Sequence, residues 1–297
     1  MHLLLIRHGE SVDNVANLYA GSRDSPLTSH GVLQTRRLGA HLASRRSIIG
    51  PITHIFTSNL QRAYRTAEAI AEAQRGAAAG SDKNVATLKV VQLAELREKD
   101  FGSGEGVKYK ALATGRADGS IASDSETREA MMVRVNRFIV DELVSVLEAH
   151  QSEKVTAAIV AHGLILGTLL QALITSFPVQ VASATSPELG RPGAAWSNTG
   201  VLQAKIEGVA SLRTTAALSG TPSPLDRAAQ SGIGDDVDAT SSRLTMTVQH
   251  INNTDHLGGL KKTRGGIGSA KFDERQRPVT AFFTPISKKR KAEDYMQ

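Results

Sequence analysis

Five short apolar runs set the terms on which this chain can fold. They lie at residues 3–7, 52–57, 88–93, 155–161 and 201–206, and several are apolar at consecutive rather than alternate positions. A continuous apolar run of strand length suits a strand covered on both faces, whereas a sheet wet on one side needs only alternation. Between the runs lie segments with helical spacing. Thr28 stands where a helix cap belongs, followed by Leu33, Leu38 and Leu42 as much of a buried stripe. Ser58 caps a second predicted helix that runs to about Ala73. Residues 126–150 carry Met132, Val135, Phe138, Ile139, Leu143 and Leu147 at helical spacing, and residues 164–174 form a further helix. Strand and helix in alternation predict an α/β protein, a three-layer α/β/α sandwich around a mostly parallel sheet. Residues 76–84 read as a surface loop, and the Gly-, Ala- and Ser-rich stretch 102–125 as an irregular lid.

The pattern fades after about residue 208. We expect a catalytic-type domain over 1–210 and a low-complexity, largely disordered basic tail over 211–297, in which residues 244–251 can form an edge strand or dock on the domain. Charge supports the division. The chain carries a net charge of +6, while residues 255–297 hold ten Lys and Arg against five Asp and Glu. The preceding 254 residues are therefore nearly neutral, which gives direct nucleic-acid binding by the main domain no electrostatic support. With no cysteine anywhere, disulfides, thiolate nucleophiles and cysteine metal sites are excluded. The apolar opening before Arg7 is too short for a signal peptide. No run reaches the length that spans a bilayer, so no membrane association is expected.

Polar groups suited to phosphoryl transfer fall at the ends of the predicted strands. Arg7-His8-Gly9-Glu10 comes directly after the first. There Gly9 permits close backbone approach, His8 offers a ring nitrogen as nucleophile, and Arg7 offers paired donors for phosphate oxygens. Arg62 sits in the first turn after the second strand and shares a helix face with Thr66. Glu95, just beyond the third strand, can protonate a departing alkoxide. His162, between Ala161 and Gly163 at the end of the fourth, can donate to the oxygens that gain charge. Each piece has an ordinary reading as a polar surface or helix residue. Arg7 and His8 resist it, because two large polar groups ending a buried strand need a reason.

Taken in order, these pieces resemble the histidine phosphatase superfamily, the phosphoglycerate-mutase-like proteins, over residues 1–207. The likeness runs through Leu5-Ile6-Arg7-His8-Gly9-Glu10-Ser11 with Asn14, and Asp24-Ser25-Pro26-Leu27-Thr28 with Gly31 and Gln34. It continues in Ser58-Asn59-Leu60-Gln61-Arg62-Ala63 with Thr66, in residues 93–98 with Phe101-Gly102 and Glu105-Gly106, and in Val160-Ala161-His162-Gly163. The resemblance implies a transient phosphohistidine on His8 and a phosphate pocket of Arg7, Arg62 and His162 with Asn14 nearby. It further implies Glu95 as proton donor, water as final acceptor, and neither metal nor cofactor. The substrate it implies is a small phosphorylated metabolite or a phosphoprotein.

Family mutases usually carry Glu-Arg-His-Tyr-Gly near the proton donor, where this chain has Glu98-Lys99-Asp100-Phe101-Gly102. Lys108, Lys110 and Arg116 are the only cations of the lid. A mutase must retain a doubly charged intermediate, so hydrolysis is the favoured reading. Phosphoglycerate mutase and a scaffold using a phosphatase-like domain are the alternatives.

The tail holds two short patterns. Gln276, Val279, Phe282 and Phe283 look like the peptide with which replication and repair proteins dock on the DNA sliding clamp; docking of the aromatics on the chain's own domain is the competing reading. Lys288, Lys289, Arg290 and Lys291 resemble a nuclear import signal, against a merely solubilising end. Together they place the expected location in the nucleus, the cytoplasm or both. The stretch 260–268 is pattern-like, and its residue types point to no role.

Overall fold

The computed structural model describes residues 1–77, 88–109, 122–181, 196–208, 244–263 and 266–275. In chain order the main elements are β1 (His2–Arg7), α1 (Val12–Ala16), α2 (Ser29–Ser44), α3 (Arg46–Ile49), β2 (Ile52–Ser58), α4 (Gln61–Ala77) and β3 (Val90–Leu93). They continue with α5 (Arg128–Phe138), α6 (Val144–His150), β4 (Thr156–Ala161), α7 (Gly163–Ser176), β5 (Val179–Val181), β6 (Val201–Gly208) and β7 (Leu244–Asn253). A single π-helical turn, Ile139–Leu143, joins α5 to α6 without a break.

The strands form one sheet in the order β3-β2-β4-β1-β6-β7-β5. From β3 to β1 all neighbours are parallel, β6 runs against both β1 and β7, and β5 is parallel to β7. The consecutive apolar residues of β1 explain the layers. Leu3 and Leu5 join Val135, Phe138, Leu143, Ile165 and Leu169 of α5 to α7 on one side. Leu4 and Ile6 meet Leu38 and Leu42 of α2 and Ala67 and Ile70 of α4 on the other. Burying each such Leu or Ile side chain is worth about 1.5–3 kcal/mol, so β1 anchors both layers of the sandwich.

Caps behave as the sequence predicts: the Thr28 hydroxyl accepts from Gly31 N–H, and Ser58 from Leu60 N–H just before α4. Three details differ. Leu33 is 42% exposed and lies off the buried stripe of α2, which Leu38, Leu42 and small Gly39 complete. Met131 rather than Met132 is the buried methionine of α5. The strand expected over 88–93 begins at Val90.

The largest correction concerns the region expected to be a disordered tail. β7 is an internal strand, paired on one side with β6 (Ala204↔Val248, Ile206↔Met246) and on the other with β5. Leu244, Met246 and Val248 are buried, while Thr245, Thr247 and Gln249 alternate with them at partly covered positions. After β7 the chain crosses the start of α2. The Arg37 guanidinium donates to Gly258 O at 2.8 Å, Ser29 N–H to Ala270 O at 3.0 Å, and Phe272 N–H to Leu27 O at 3.1 Å. This crossing segment includes residues 260–263 and 266–268 of the pattern-like stretch. The clamp-like and import-like patterns lie outside the described residues.

Candidate active site

Parallel strands deliver their side chains to one edge of the sheet, and ligands in open α/β sheets bind beyond the carboxyl ends of the strands. Arg7 and His8 lie at the end of β1, Arg62 opens α4 after β2, and His162 stands just past β4. His8, Arg62 and His162 are all buried.

His8 is held in one tautomer. Its Nδ1 lies 2.7 Å from Gly9 O, an acceptor only, so Nδ1 carries the proton and Nε2 keeps the lone pair. Burial, then the charges of Arg62 and Arg7, hold its pKa well below 6.5, and the Gly9 carbonyl only partly opposes them. The ring is therefore neutral and nucleophilic at pH 7. Its backbone is equally fixed, with His8 N–H donating to Ala161 O and Gly9 N–H to Thr66 Oγ1 at 3.1 Å. A Cβ on Gly9 would come within 2.8 Å of the Thr35 methyl and 2.9 Å of Gly31 O, so only glycine fits this turn.

His162 is set the opposite way. Arg62 Nε donates to its Nδ1 at 3.2 Å, which leaves the proton on Nε2. That Nε2 is buried without a protein partner, and the two rings stand 5.0 Å apart. Burial first, then Arg62, His8, Arg7 and Arg134, keep the His162 pKa well below 6.5. The pair thus presents one lone pair and one N–H. Arg62 is anchored through Gly21 O at 2.8 Å and Arg23 O at 2.7 Å. Arg7 donates through Nη1 to Trp196 O, while its Nε is a second buried donor with no protein partner. Orphaned donors on Arg7 and His162 are what an anion site requires.

Asn14 joins this group indirectly. Its Oδ1 accepts from Ser11 N–H and from Asn198 Nδ2, both at 3.1 Å, and the same Asn198 nitrogen donates to His8 O.

Glu95 does not join it. Glu95 lines a small crevice with Leu93, Arg137, Phe138, Asp141 and Glu142, and Arg134 holds its carbonyl. The carboxylate beside Arg7 and Arg62 is Glu98. Its charge acts on both Arg7 and Arg62, raising pKa values that burial lowers. Its two oxygens each accept at 3.1 Å from the first turn of α7, from Leu164 and Ile165 N–H. A Cβ on Gly163 would lie 4.0 Å from both Glu98 Oε2 and Arg7 Nε, which ties the three together. The chain signal for Glu98 was present in the 98–102 stretch, which begins where the mutase-type motif begins with Glu.

Tyr19, Phe101 and Tyr109 form an aromatic wall, with ring separations of 4.8 Å and 4.6 Å about Tyr19. Phe101 packs on Gly21, whose carbonyl accepts from Arg62. Burial raises the Tyr109 phenol pKa, and Arg7 and Glu98 are the next charges acting on it. Among the described residues no group of three or more His, Asp or Glu is placed to hold a metal ion, and no helix is long and apolar enough to cross a membrane.

Comparison with known proteins places this arrangement. A Schizosaccharomyces pombe protein, "Probable phosphatase C1620.13", is 26% identical over 96% of this chain and 80% of its own length. "Probable phosphoglycerate mutase GpmB" of Klebsiella pneumoniae is 32% identical over 59% of this chain and 75% of its own. Among solved structures, "Mycobacterial hydrolase 1" superposes with a TM-score of 0.58 at 19% identity, covering 85% of this chain and 98% of that one. A mycobacterial glucosyl-3-phosphoglycerate phosphatase gives 0.51 at 22% identity, over 69% and 92%. These two establish likeness of fold. Residues 3–186, more than half of the chain, match the histidine phosphatase superfamily (branch 1), and with strand-end His8, Arg62 and His162 buried side by side the chain belongs to that family as a hydrolase of the histidine-phosphatase type.

Proposed function

We propose that the chain hydrolyses a phosphate monoester through a phosphohistidine on His8. The observation that carries this reading is the complementary state of the two imidazoles: His8 keeps a lone pair on Nε2, and His162 keeps a proton on an unpartnered Nε2. In the first step the His8 Nε2 pair forms a P–N bond while the ester P–O bond breaks and its electrons leave on the alkoxide oxygen. Glu98 supplies a proton to that oxygen. Glu98 Oε1 accepts from the Lys99 and Ile165 N–H groups, but Oε2 accepts only from Leu164 N–H and retains a second lone pair for this proton. Arg7, Arg62 and the His162 N–H stabilise the equatorial oxygens. In the second step water attacks phosphorus, Glu98 takes its proton, and the P–N electrons return to Nε2. Throughout, Nδ1–H stays on Gly9 O.

The test is a panel of sugar phosphates, phosphoglycerate-type acids and phosphopeptides, assayed with the intact chain and with His8→Ala. Turnover that vanishes with His8 supports the reading, and equal turnover in the variant refutes it. Likeness to a protein named as a phosphoglycerate mutase keeps a second reading in view. Interconversion of 3- and 2-phosphoglycerate faster than phosphate release would favour it.

For the tail, sliding-clamp docking through residues 276–283 and nuclear import through 288–291 stand as proposals. Saturable binding of a 270–291 peptide to the clamp supports the first, and its absence counts against it.

A further inference from the structure

The C-terminal segment reaches the nucleophile by two separate routes. On one, His256 Nε2 lies 2.8 Å from Thr199 Oγ1. The Thr199 hydroxyl spends its own proton on Asn198 O at 2.7 Å, so His256 Nε2 must be the donor. Thr199 N–H donates to both Arg7 O and His8 O, at 3.1 and 3.2 Å, and Asn198 Nδ2 adds a third bond to this bracket, again to His8 O. Thr199 holds φ at 57°, a left-handed conformation that β-branched residues rarely adopt and that persists only where surrounding contacts dictate it. His256 itself is buried beside His41, their rings 5.9 Å apart.

On the other route, Lys262 Nζ lies 2.9 Å from each carboxylate oxygen of Glu10, two residues past His8. Glu10 Oε1 also accepts from the Thr28 hydroxyl at 2.8 Å, and Glu10 N–H donates to Gln34. A bridge between Thr28 and Lys271 fixes the same corner from beyond Lys262. The loop 8–10 is therefore gripped on one side by α2 and α4 and on the other by a segment some 250 positions later in sequence.

We propose that this segment is a working part of the active site, with His256 and Lys262 as positioning residues that hold the His8–Glu10 turn in its reactive geometry. The proposal rests on the phosphohistidine reading of His8. Neither residue touches the reacting atoms; His256 acts through Thr199 and Asn198, Lys262 through Glu10. If the turn relaxes, the Gly9 carbonyl no longer selects the Nδ1–H tautomer, and the Nε2 lone pair is lost from a fraction of molecules. Displacements of about 1 Å at a reacting group can cost roughly 100-fold in rate.

The experiment uses the full chain carrying His256→Phe, Lys262→Met or both. Hydrolysis of para-nitrophenyl phosphate gives kcat and KM, and long-range proton–nitrogen spectra of the imidazoles read the His8 tautomer without substrate. In the folded double variant kcat should fall roughly 10- to 100-fold with KM within about threefold, and His8 should pass to a mixture of tautomers. His256→Gln, whose amide nitrogen can donate to Thr199, and Lys262→Arg should restore most of kcat. Unchanged kcat and tautomer overturn the proposal, as does a loss that the conservative variants do not rescue. Should His256→Phe not fold, Lys262→Met at its partly exposed side chain carries the test. Should the unsubstituted chain show no turnover, the hydrolase mechanism itself fails and the tautomer alone decides the positioning role: a shift supports it, no shift overturns it.

Discussion

The two halves of the sheet do different work. The parallel half, β3-β2-β4-β1, ends in Arg7, His8, Arg62 and His162, and Arg7 and His162 there keep buried nitrogens without a protein partner. The half beyond β1 runs partly against it and ends in Asn198 and Thr199, which donate to the backbone of the first half, with His256 behind them on the Thr199 hydroxyl. One half holds reactive groups in tension with burial. The other spends its polar groups on holding them still. Function and support are thus separated by the direction of the strands.

That contrast is most exposed to test at His8. Replacing it with Ala should lower turnover by at least about 1,000-fold while leaving the thermal midpoint nearly unmoved; a variant that unfolds would show the nucleophile to be structural instead. Cutting the other half should do the reverse. A chain ending at residue 208 loses β7 and the burial of Leu244, Met246 and Val248, each worth about 1.5–3 kcal/mol. That sum approaches the 5–15 kcal/mol that holds a typical domain, so circular dichroism should show no cooperative melt.

Within the reactive half, the two glutamates should separate cleanly. Glu98→Gln should reduce kcat roughly 100- to 10,000-fold for substrates with poor leaving groups, and Glu95→Gln should change it less than about threefold. Equal effects would undo the assignment of Glu98.

Acid should weaken the fold through the histidines of both halves. Burial holds His8 and His162 well below 6.5, and brings His256 to about 4. In the unfolded chain each takes up a proton as pH drops through 6.5, while the folded protein resists until its own lower pKa. Stability is therefore whole above 6.5 and declines as pH falls toward 4. Urea midpoints measured between pH 7 and 4.5 should show this slope, and His162→Asn should flatten it. The smallest effect belongs to Leu33→Ser, which should stay within about 0.5 kcal/mol because that side chain stands outside the core.

What was legible in the sequence divides along the same line. Arg7, His8, Arg62 and His162 stand at the ends of apolar strands or just beyond them, so the strand pattern alone aims them at one edge. Choosing between Glu95 and Glu98 needed more than spacing. Ala94–Leu96 forms a single 3-10 turn that buries Leu96, and the direction in which the chain leaves that turn brings Glu98 rather than Glu95 to the start of α7. Asn198 and Thr199 carry no pattern, since their role is set by one left-handed backbone angle and by partners far along the chain. β7 escaped full recognition because its buried Leu244, Met246 and Val248 are diluted by Thr and Gln and come after a long polar stretch.

The central place of β1 has a consequence for how the molecule comes into being. It is synthesised well before its neighbours, β4, which starts at Thr156, and β6, which starts at Val201. At about 5–20 residues per second, several seconds pass on the ribosome before either partner emerges. During that interval both edges of an apolar strand stand open to pairing with another chain. Glu10 and Thr199 wait longer still for Lys262 and His256. The nascent chain therefore carries its nucleophile well before it acquires, with His256 and Lys262, the geometry to use it.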